Sequence, residues 1–242
     1  MNRLGRASIL VLIGAVLARL LSTGSYGWFV QQRMFIPLAV AAAVLILFGI
    51  FEVVEGLREE SRDNSVSRRS VAPTVGWLLL LPVMVLLVVA PKGLGAAAAN
   101  RVETFTPTEQ TDRFAPVENL DGVVEMRVYD FLDRAIWDEN GSLEGQTVRL
   151  EGLVVNDESA PDGFLLTRFL VSCCAADGIP LQVTLSGLEE PLEDDTWVVV
   201  DVEWIVPDVP YNDSDDAIVV RAEIVSITPQ PGVRPDPYES PY

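Results

Sequence analysis

The order of apolar and polar residues divides the chain into an apolar first part and an alternating second part. Three apolar segments cover residues 7–22, 34–54 and 75–92. A helix needs about 20 apolar residues to cross a bilayer. The second segment supplies them alone, and the other two do so together with their small neighbours. Residues 1–95 are therefore predicted to be a transmembrane region of three helices in contact with the lipid bilayer.

The first apolar segment has a second interpretation. Arg3 and Arg6 followed by an apolar run are also typical of a secretory signal peptide. Arg19 then follows, and no clear small-x-small cleavage site precedes the next segment. We therefore favour an uncleaved first helix.

The arginines predict the orientation of the three helices. Arg3 and Arg6 precede the first span, and four arginines lie between residues 58 and 69, whereas the loop between the first two spans has only Arg33. Because basic loops stay on the cytoplasmic side, the N-terminus is predicted to be cytoplasmic. Three spans then place the C-terminal domain outside the cytoplasm, as expected for a multi-pass protein of the cell membrane.

Few polar residues interrupt the three apolar segments, so these helices alone are poor candidates for a transport path. Small residues allow close approach of membrane helices. Gly14, Ala18 and residues 41–43 are therefore predicted to pack against a separate polytopic membrane protein.

The second part of the chain predicts one helix and five strands. Apolar residues recur at helical spacing over residues 123–138, and Asn140 with Gly141 follows as a stop signal. Apolar alternation then marks strands at residues 148–154, 164–174, 181–185, 198–206 and 218–227. We predict an OB-like five-stranded β-barrel with a flanking helix over residues 121–228, with a β-sandwich as the alternative.

The segments on either side of this domain have the composition of connecting chain. Residues 96–120 contain small and charged residues and are predicted to be a linker. Residues 229–242 are rich in proline and are predicted to be a disordered or extended tail. A fragment of about residues 119–229 is therefore predicted to fold alone.

Charge separates the same two parts and excludes one class of partner. Residues 1–100 contain nine Lys and Arg and five Asp and Glu, whereas residues 101–242 contain eight and thirty. Nucleic-acid binding needs cationic contacts to phosphates, so this strongly acidic second part predicts no nucleic-acid partner. No phosphate loop, Gly-x-Ser-x-Gly or HExxH motif occurs, and the chain has no histidine, so we predict a protein that is not an enzyme.

The only two cysteines, Cys173 and Cys174, close the second predicted strand and precede a turn at Asp177. Side chains alternate along a strand, so Cys173 is predicted in the core and Cys174 on the polar face, with their sulfurs diverging. This divergence favours a purely structural role and predicts no cofactor. Two alternatives stay open: a metal site of Cys173, Cys174 and Asp177, if the strand bulges, and a strained disulfide between the neighbouring cysteines.

The sequence around the two cysteines also matches a longer motif. Arg168, Phe169, Cys173, Cys174, Ala176 and Asp177 fit the pattern RFxxxCCxAD, and residues 91–101 read PKGLGAAAANR just after the last apolar segment. Both features resemble the YcgQ-like family of two-component membrane permease subunits, in which the role of the motif residues is unknown. The resemblance implies a non-enzymatic accessory subunit whose extracytoplasmic domain gates a polytopic permease or presents substrate to it. The alternative is an envelope domain that senses a metal ion or redox state through the cysteines.

Overall fold

The computed structural model describes residues 3–60, 94–100, 122–158, 162–188, 190–208 and 218–230, together with Phe114, Val117, Ala160, Tyr211 and Tyr238–Glu239. It divides into two compact units, Met1–Gly93 and Leu94–Tyr242. The predicted third span at residues 75–92 lies outside the described residues.

The first unit contains a helical hairpin. Helix α1 spans Arg3–Thr23 and helix α2 spans Phe35–Glu60, and the connection contains two short 3₁₀ turns, Ser25–Trp28 and Gln32–Met34. Within the described residues, one helix is long and apolar enough to cross a membrane, at Gln32–Glu55, while the apolar part of α1 covers the shorter Ala7–Thr23. Two of the three predicted apolar segments are therefore helical.

The two helices approach closely at their glycines. A Cβ atom at Gly14 would lie 2.6 Å from Ile46 Cγ1, and one at Gly49 would lie 2.5 Å from Val11 Cγ2. Ala42 is buried beside this contact. Gly14 and Ala42, predicted to face a partner protein, thus pack within the chain. The opposite surface of α2 keeps large apolar side chains exposed, among them Ile36 at 70%, Leu47 at 66% and Phe48 at 62%.

The second unit is built around a closed five-stranded barrel. Its strands are β2 (Thr147–Val155), β3 (Gly163–Leu170), β4 (Ile179–Ser186), β5 (Trp197–Trp204) and β6 (Arg221–Pro229). The pairing runs β2–β5–β6–β4–β3 and closes from β3 back to β2, with only β4 and β6 parallel among these five. The closed barrel confirms the predicted five strands and rules out the sandwich.

The barrel interior and the flanking helix share one core. Helix α4, Val128–Trp137, buries Phe131 and Leu132 against strand residues such as Val148, Leu166 and Val183. Helical spacing correctly predicted this helix, but the helix begins at Val128 and not at residue 123. Val123–Glu125 form strand β1, which pairs in parallel with β2, because pairing to the free edge of β2 overrides the local helical spacing.

A second apolar cluster is separate from the first and contains residues from both the beginning and the end of the second unit. Ala96 and Ala99, from the short helix α3 (Ala96–Ala99), pack there with Phe169, Trp197 and Tyr238. The backbone N–H of Ala96 donates to Asp195 Oδ1 at 2.6 Å. Residues 96–99 are therefore part of the folded unit and not of a linker, whereas most of the predicted linker lies outside the described residues.

Two residues of the predicted tail belong to a strand of the sheet. Tyr238–Glu239 form strand β7, which pairs in parallel with Phe169 and Leu170 of β3. Tyr238 and Glu239 are 5% and 4% exposed. The pair is extended, as predicted, but it is buried and not disordered, because β3 offers an unpaired edge where it separates from β2.

These contacts revise the predicted limits of the autonomous domain. We expect a fragment of residues 94–242 to unfold cooperatively with urea, and a fragment of residues 119–229 to be less stable by about 2.5–4 kcal/mol. The shorter fragment loses the burial of an aromatic side chain, worth about 1.5–3 kcal/mol, and a helix cap worth about 1 kcal/mol. Equal stabilities of the two fragments would contradict this packing.

Candidate functional site

The two cysteines lie in a turn, residues 172–178, that we call the cysteine turn. Strand β3 ends at Leu170, and a 3₁₀ turn follows at Ala175–Asp177. The Asp177 carboxylate holds the turn together, because its Oδ1 accepts the N–H of Ser172 at 3.0 Å and its Oδ2 accepts the N–H of Cys173 at 2.9 Å. Asp177 also donates its own N–H to the carbonyl of Cys174 at 3.0 Å.

This turn brings three metal-ligating side chains together. Cys173 Sγ lies 3.8 Å from Cys174 Sγ and 3.0 Å from Asp177 Oδ2. The ligand atoms of Cys173, Cys174 and Asp177 all lie within 4.8 Å of one another. Cys173 is exposed and Cys174 is half-buried, so the cluster is accessible from solvent.

The predicted separation of the cysteines is wrong. It assumed that β3 continues to Cys174, with Cys173 pointing into the core and the sulfurs diverging. The strand instead ends at Leu170, and the Asp177 carboxylate binds the two N–H groups at Ser172 and Cys173. The alternation of side chains therefore stops before the cysteines, and both sulfurs lie on the same side of the turn.

The Asp177 carboxylate and the Cys173 thiol change each other's pKa. The hydrogen bond to Asp177, followed by that to Cys174, raises the pKa of Cys173 to about 11. Partial desolvation raises the pKa of Asp177, but hydrogen bonds from Cys173 Sγ and from backbone N–H groups outweigh it, so this pKa lies below its usual value. At neutral pH the turn therefore holds a carboxylate and a protonated Cys173.

The donor set fits a thiophilic metal ion. Two thiolates and one carboxylate are ligands that Zn²⁺ accepts, and zinc sites with three protein ligands keep a fourth position for water or another ligand. The whole sequence has no histidine, so imidazole cannot complete the set. A positive ion would also stabilise the thiolate form of Cys173, whose pKa is raised first of all by its hydrogen bond to Asp177.

The start of the barrel unit supports the cysteine turn. The side chain of Leu94 fills the space that a Cβ atom at Gly178 would need, and Val171 Cγ1 lies 3.4 Å from that position. A larger residue at Gly178 would displace Leu94. The turn therefore lies at the chain's point of entry into the barrel unit.

The other residues of the predicted motif have different surroundings. Phe169 is 1% exposed in the second apolar cluster, which gives it a structural role. Ala176 is exposed in the cysteine turn. Arg168 belongs to another site: its guanidinium lies 5.1 Å from the centre of the Trp197 ring, and its Nε lies 3.6 Å from Glu239 Oε1.

The carboxylate of Glu239 occupies a second site, which we call the carboxylate slot. The slot consists of the N–H groups of Val128 and Tyr129 together with the side chain of Arg168. Glu239 Oε1 accepts the N–H of Val128 at 2.9 Å, and Oε2 accepts the N–H of Tyr129 at 2.8 Å. Burial raises the pKa of Glu239, whereas the charge of Arg168 and the two N–H groups lower it. Burial is the larger effect, so the pKa of Glu239 lies above its usual value. Sequence reasoning missed Glu239, because a two-residue strand has no periodicity and its partner is far away in the chain.

The carboxylate slot opens on a cavity of about 670 Å³. Both arginine and carboxylate side chains line it, and some of them pair, such as Arg127 with Asp130 at 2.7 Å. Asp133, at 8% exposure, also lines the cavity, and burial, followed by the charge of Asp130, raises its pKa. The cavity is lined by Phe114, Val117, Val124, Glu125, Met126, Arg127, Val128, Asp130, Asp133, Arg134, Arg149, Glu151, Arg168 and Glu239.

Fold and site together define a small closed β-barrel domain that carries a two-cysteine turn. Residues 111–231 match the DUF1980 C-terminal domain family, and the match covers half of the chain. The protein belongs to this family, which is consistent with the resemblance to YcgQ-like proteins. No curated protein and no solved structure matches the chain.

Proposed function

We propose that the protein is a membrane-anchored, non-enzymatic metal-binding subunit of a transport complex, and that its cysteine turn captures one thiophilic metal ion such as Zn²⁺. The observation that carries this proposal is the convergence of Cys173, Cys174 and Asp177, whose ligand atoms lie within 4.8 Å of one another. The ion takes two thiolate sulfurs and one carboxylate oxygen from the turn. Its remaining position stays open to water or to a ligand from another protein.

An open position suits capture and transfer better than permanent storage. Structural zinc sites are closed by four protein ligands, whereas sites with three keep an exchangeable position. Cys173 and Asp177 lie in an exposed turn, so a second protein can reach the ion without unfolding the barrel. The subunit therefore presents its ion to a partner.

The partner in this proposal is a polytopic membrane permease. The resemblance of residues 168–177 to two-component permease subunits supports it. The exposed apolar surface of α2, with Ile36, Leu47 and Phe48, suits contact with lipid or with membrane helices. The arginine distribution favours a cytoplasmic N-terminus and an extracytoplasmic barrel, and the five-stranded barrel with mixed pairing supports the OB-like assignment.

A redox function is the second candidate, and one distance favours it. The two sulfurs lie 3.8 Å apart, so oxidation of the neighbouring cysteines requires a smaller movement than a regular strand would demand. Extracytoplasmic compartments are oxidising. A disulfide between Cys173 and Cys174 would remove both thiolates from the metal site, so thiol counting separates the two functions.

Cobalt binding tests the metal site directly. We expect the reduced full-length protein in detergent to bind one Co²⁺ per chain and to develop the near-ultraviolet absorption of thiolate-to-cobalt charge transfer, with Zn²⁺ displacing the cobalt. Cys173→Ser and Cys174→Ser should each weaken binding by at least about 100-fold, since each removes one of only three protein ligands. Asp177→Asn should weaken it by at least about tenfold.

Asp162→Asn is the matched control, because Asp162 is an exposed turn residue of the same barrel outside the cysteine turn. It changes net charge by the same amount as Asp177→Asn and should leave cobalt affinity unchanged. Equal weakening by both aspartate variants would show that diffuse negative charge, and not the turn, attracts the ion. Two free thiols with no cobalt band would reject the metal site, and an absence of free thiols in the isolated protein would favour the redox function.

A further inference from the structure

A two-residue strand near the C-terminal end of the described chain binds the barrel as an extended peptide ligand does. Tyr238 and Glu239 pair in parallel with Phe169 and Leu170, and the N–H of Val171 donates to the carbonyl of Glu239 at 3.1 Å. Both side chains are at least nine-tenths buried. Strand addition of this kind gives affinity through the main chain and selectivity through side-chain pockets.

The carboxylate of Glu239 caps the N-terminus of helix α4. Its N-cap residue is Arg127, which makes no side-chain cap, so the first N–H groups of the helix need an acceptor from elsewhere. Glu239 supplies one oxygen to Val128 and the other to Tyr129. A negative charge at a helix N-terminus is also favoured by the helix dipole.

Arg168 makes this position selective for an acid. Its side chain is 11% exposed, and its Nε lies 3.6 Å from Glu239 Oε1, while its Nη2 reaches the carbonyl of Tyr238 at 3.5 Å. A neutral side chain in place of Glu239 would leave a buried guanidinium without its anion. Tyr238 packs with Phe169 and Trp197 in the second apolar cluster, so the preceding position favours an aromatic residue.

The residues that form the carboxylate slot lie inside the family domain, whereas the two residues bound there lie outside it. The residues that hold the peptide, from Val128 to Val171, lie inside the family match at residues 111–231, whereas Tyr238 and Glu239 lie beyond it. The slot is therefore part of the family domain, and its occupant comes from a segment outside that domain.

We propose that the carboxylate slot and the adjacent edge of β3 form a peptide-binding site for extended segments that present an aromatic residue followed by glutamate. The chain's own Tyr238–Glu239 is the resident ligand and fills the site in cis. A partner protein with a segment of the same chemistry binds there by replacing it. This site is separate from the cysteine turn and does not depend on metal binding.

A synthetic peptide of residues 232–242, labelled with a fluorophore, tests the site by fluorescence anisotropy. We expect it to bind the full chain truncated after Gln230 at least tenfold more tightly than the intact chain, whose slot is already filled. The same peptide with Gln in place of Glu should bind at least tenfold more weakly, and one with Ala in place of Tyr should also lose affinity. Arg168→Ala in the truncated chain should abolish binding.

A second receptor protects the test against misfolding of the truncated chain. The double variant Tyr238→Ala, Glu239→Gln keeps the full length of the chain but disables the resident ligand, so it should also bind the peptide more tightly than the intact chain. A peptide of scrambled sequence is the control for charge. Failure of both receptors to bind, or equal binding by the intact chain, would overturn the proposal, as would dimers of the intact chain that disappear on truncation, since these would place the tail in a second copy.

Discussion

Replacing Arg168 by Ala is expected to lower the free energy of unfolding of the 94–242 fragment by about 3–5 kcal/mol. Arg168 and Glu239 form a buried ion pair, with side chains 11% and 3% exposed. Removing one partner leaves the other as an uncompensated buried charge, which costs far more than the pair contributes. The lost packing of the guanidinium on the Trp197 ring, 5.1 Å away, adds to the effect.

A double-mutant cycle separates the pair from the packing. Glu239→Gln alone is expected to cost about 1–3 kcal/mol, since a neutral amide caps the helix less well and leaves Arg168 unbalanced. The double variant should cost less than the two single losses together, with a coupling of about 1–3 kcal/mol. Arg221→Ala is the matched control, because Arg221 is exposed on β6, and it should change stability by less than about 0.5 kcal/mol.

Urea unfolding followed by tryptophan fluorescence measures all four variants. Purely additive losses would show that Arg168 stabilises the barrel by packing and not through Glu239. A loss no larger than that of Arg221→Ala would show that Tyr238–Glu239 do not stay bound to β3 in solution. Either result would also change the interpretation of the carboxylate slot.

Alternation along the sequence was enough to predict the barrel strands. In β5, Val198, Val200 and Val202 are all fully buried while Glu203 is exposed, so a period of two is visible without any tertiary information. The residues at which the strands end were harder to predict than the presence of the strands. Strand β3 continues in apolar composition to Val171, but Asp177 competes for the next two N–H groups, and that competition depends on a side chain beyond the strand.

The candidate sites show the same limit more sharply. Cys173, Cys174 and Asp177 are close in sequence, so the sequence singled them out, but their convergence depends on the end of β3, which alternation alone misplaced. Glu239 and Arg168 are distant in sequence and meet only after the barrel closes. Proline around Tyr238 correctly indicated extended chain, yet nothing local shows that a specific edge of β3 would bury it.

Metal affinity of the cysteine turn is expected to rise steeply with pH. The pKa of Cys173 is raised to about 11 by its hydrogen bonds to Asp177 and Cys174, so this thiol is protonated throughout the neutral range. A metal ion must displace that proton to bind the sulfur. Each displaced proton makes the affinity rise tenfold per pH unit below the thiol pKa, so Cys173 alone predicts a rise of about 100-fold between pH 7 and pH 9.

Competition with a chelator in zinc-buffered solutions measures this slope in the reduced full-length protein. The rise should continue to about pH 10, because the raised pKa of Cys173 lies near 11. Asp177→Asn removes the strongest cause of that raised pKa, so its weaker affinity should level off at a lower pH than that of the unmodified protein. Cys173→Ser should lose the part of the slope that comes from this thiol. Affinity that stays constant from pH 7 to pH 9 would show that carboxylates, and not the thiols of the turn, bind the ion.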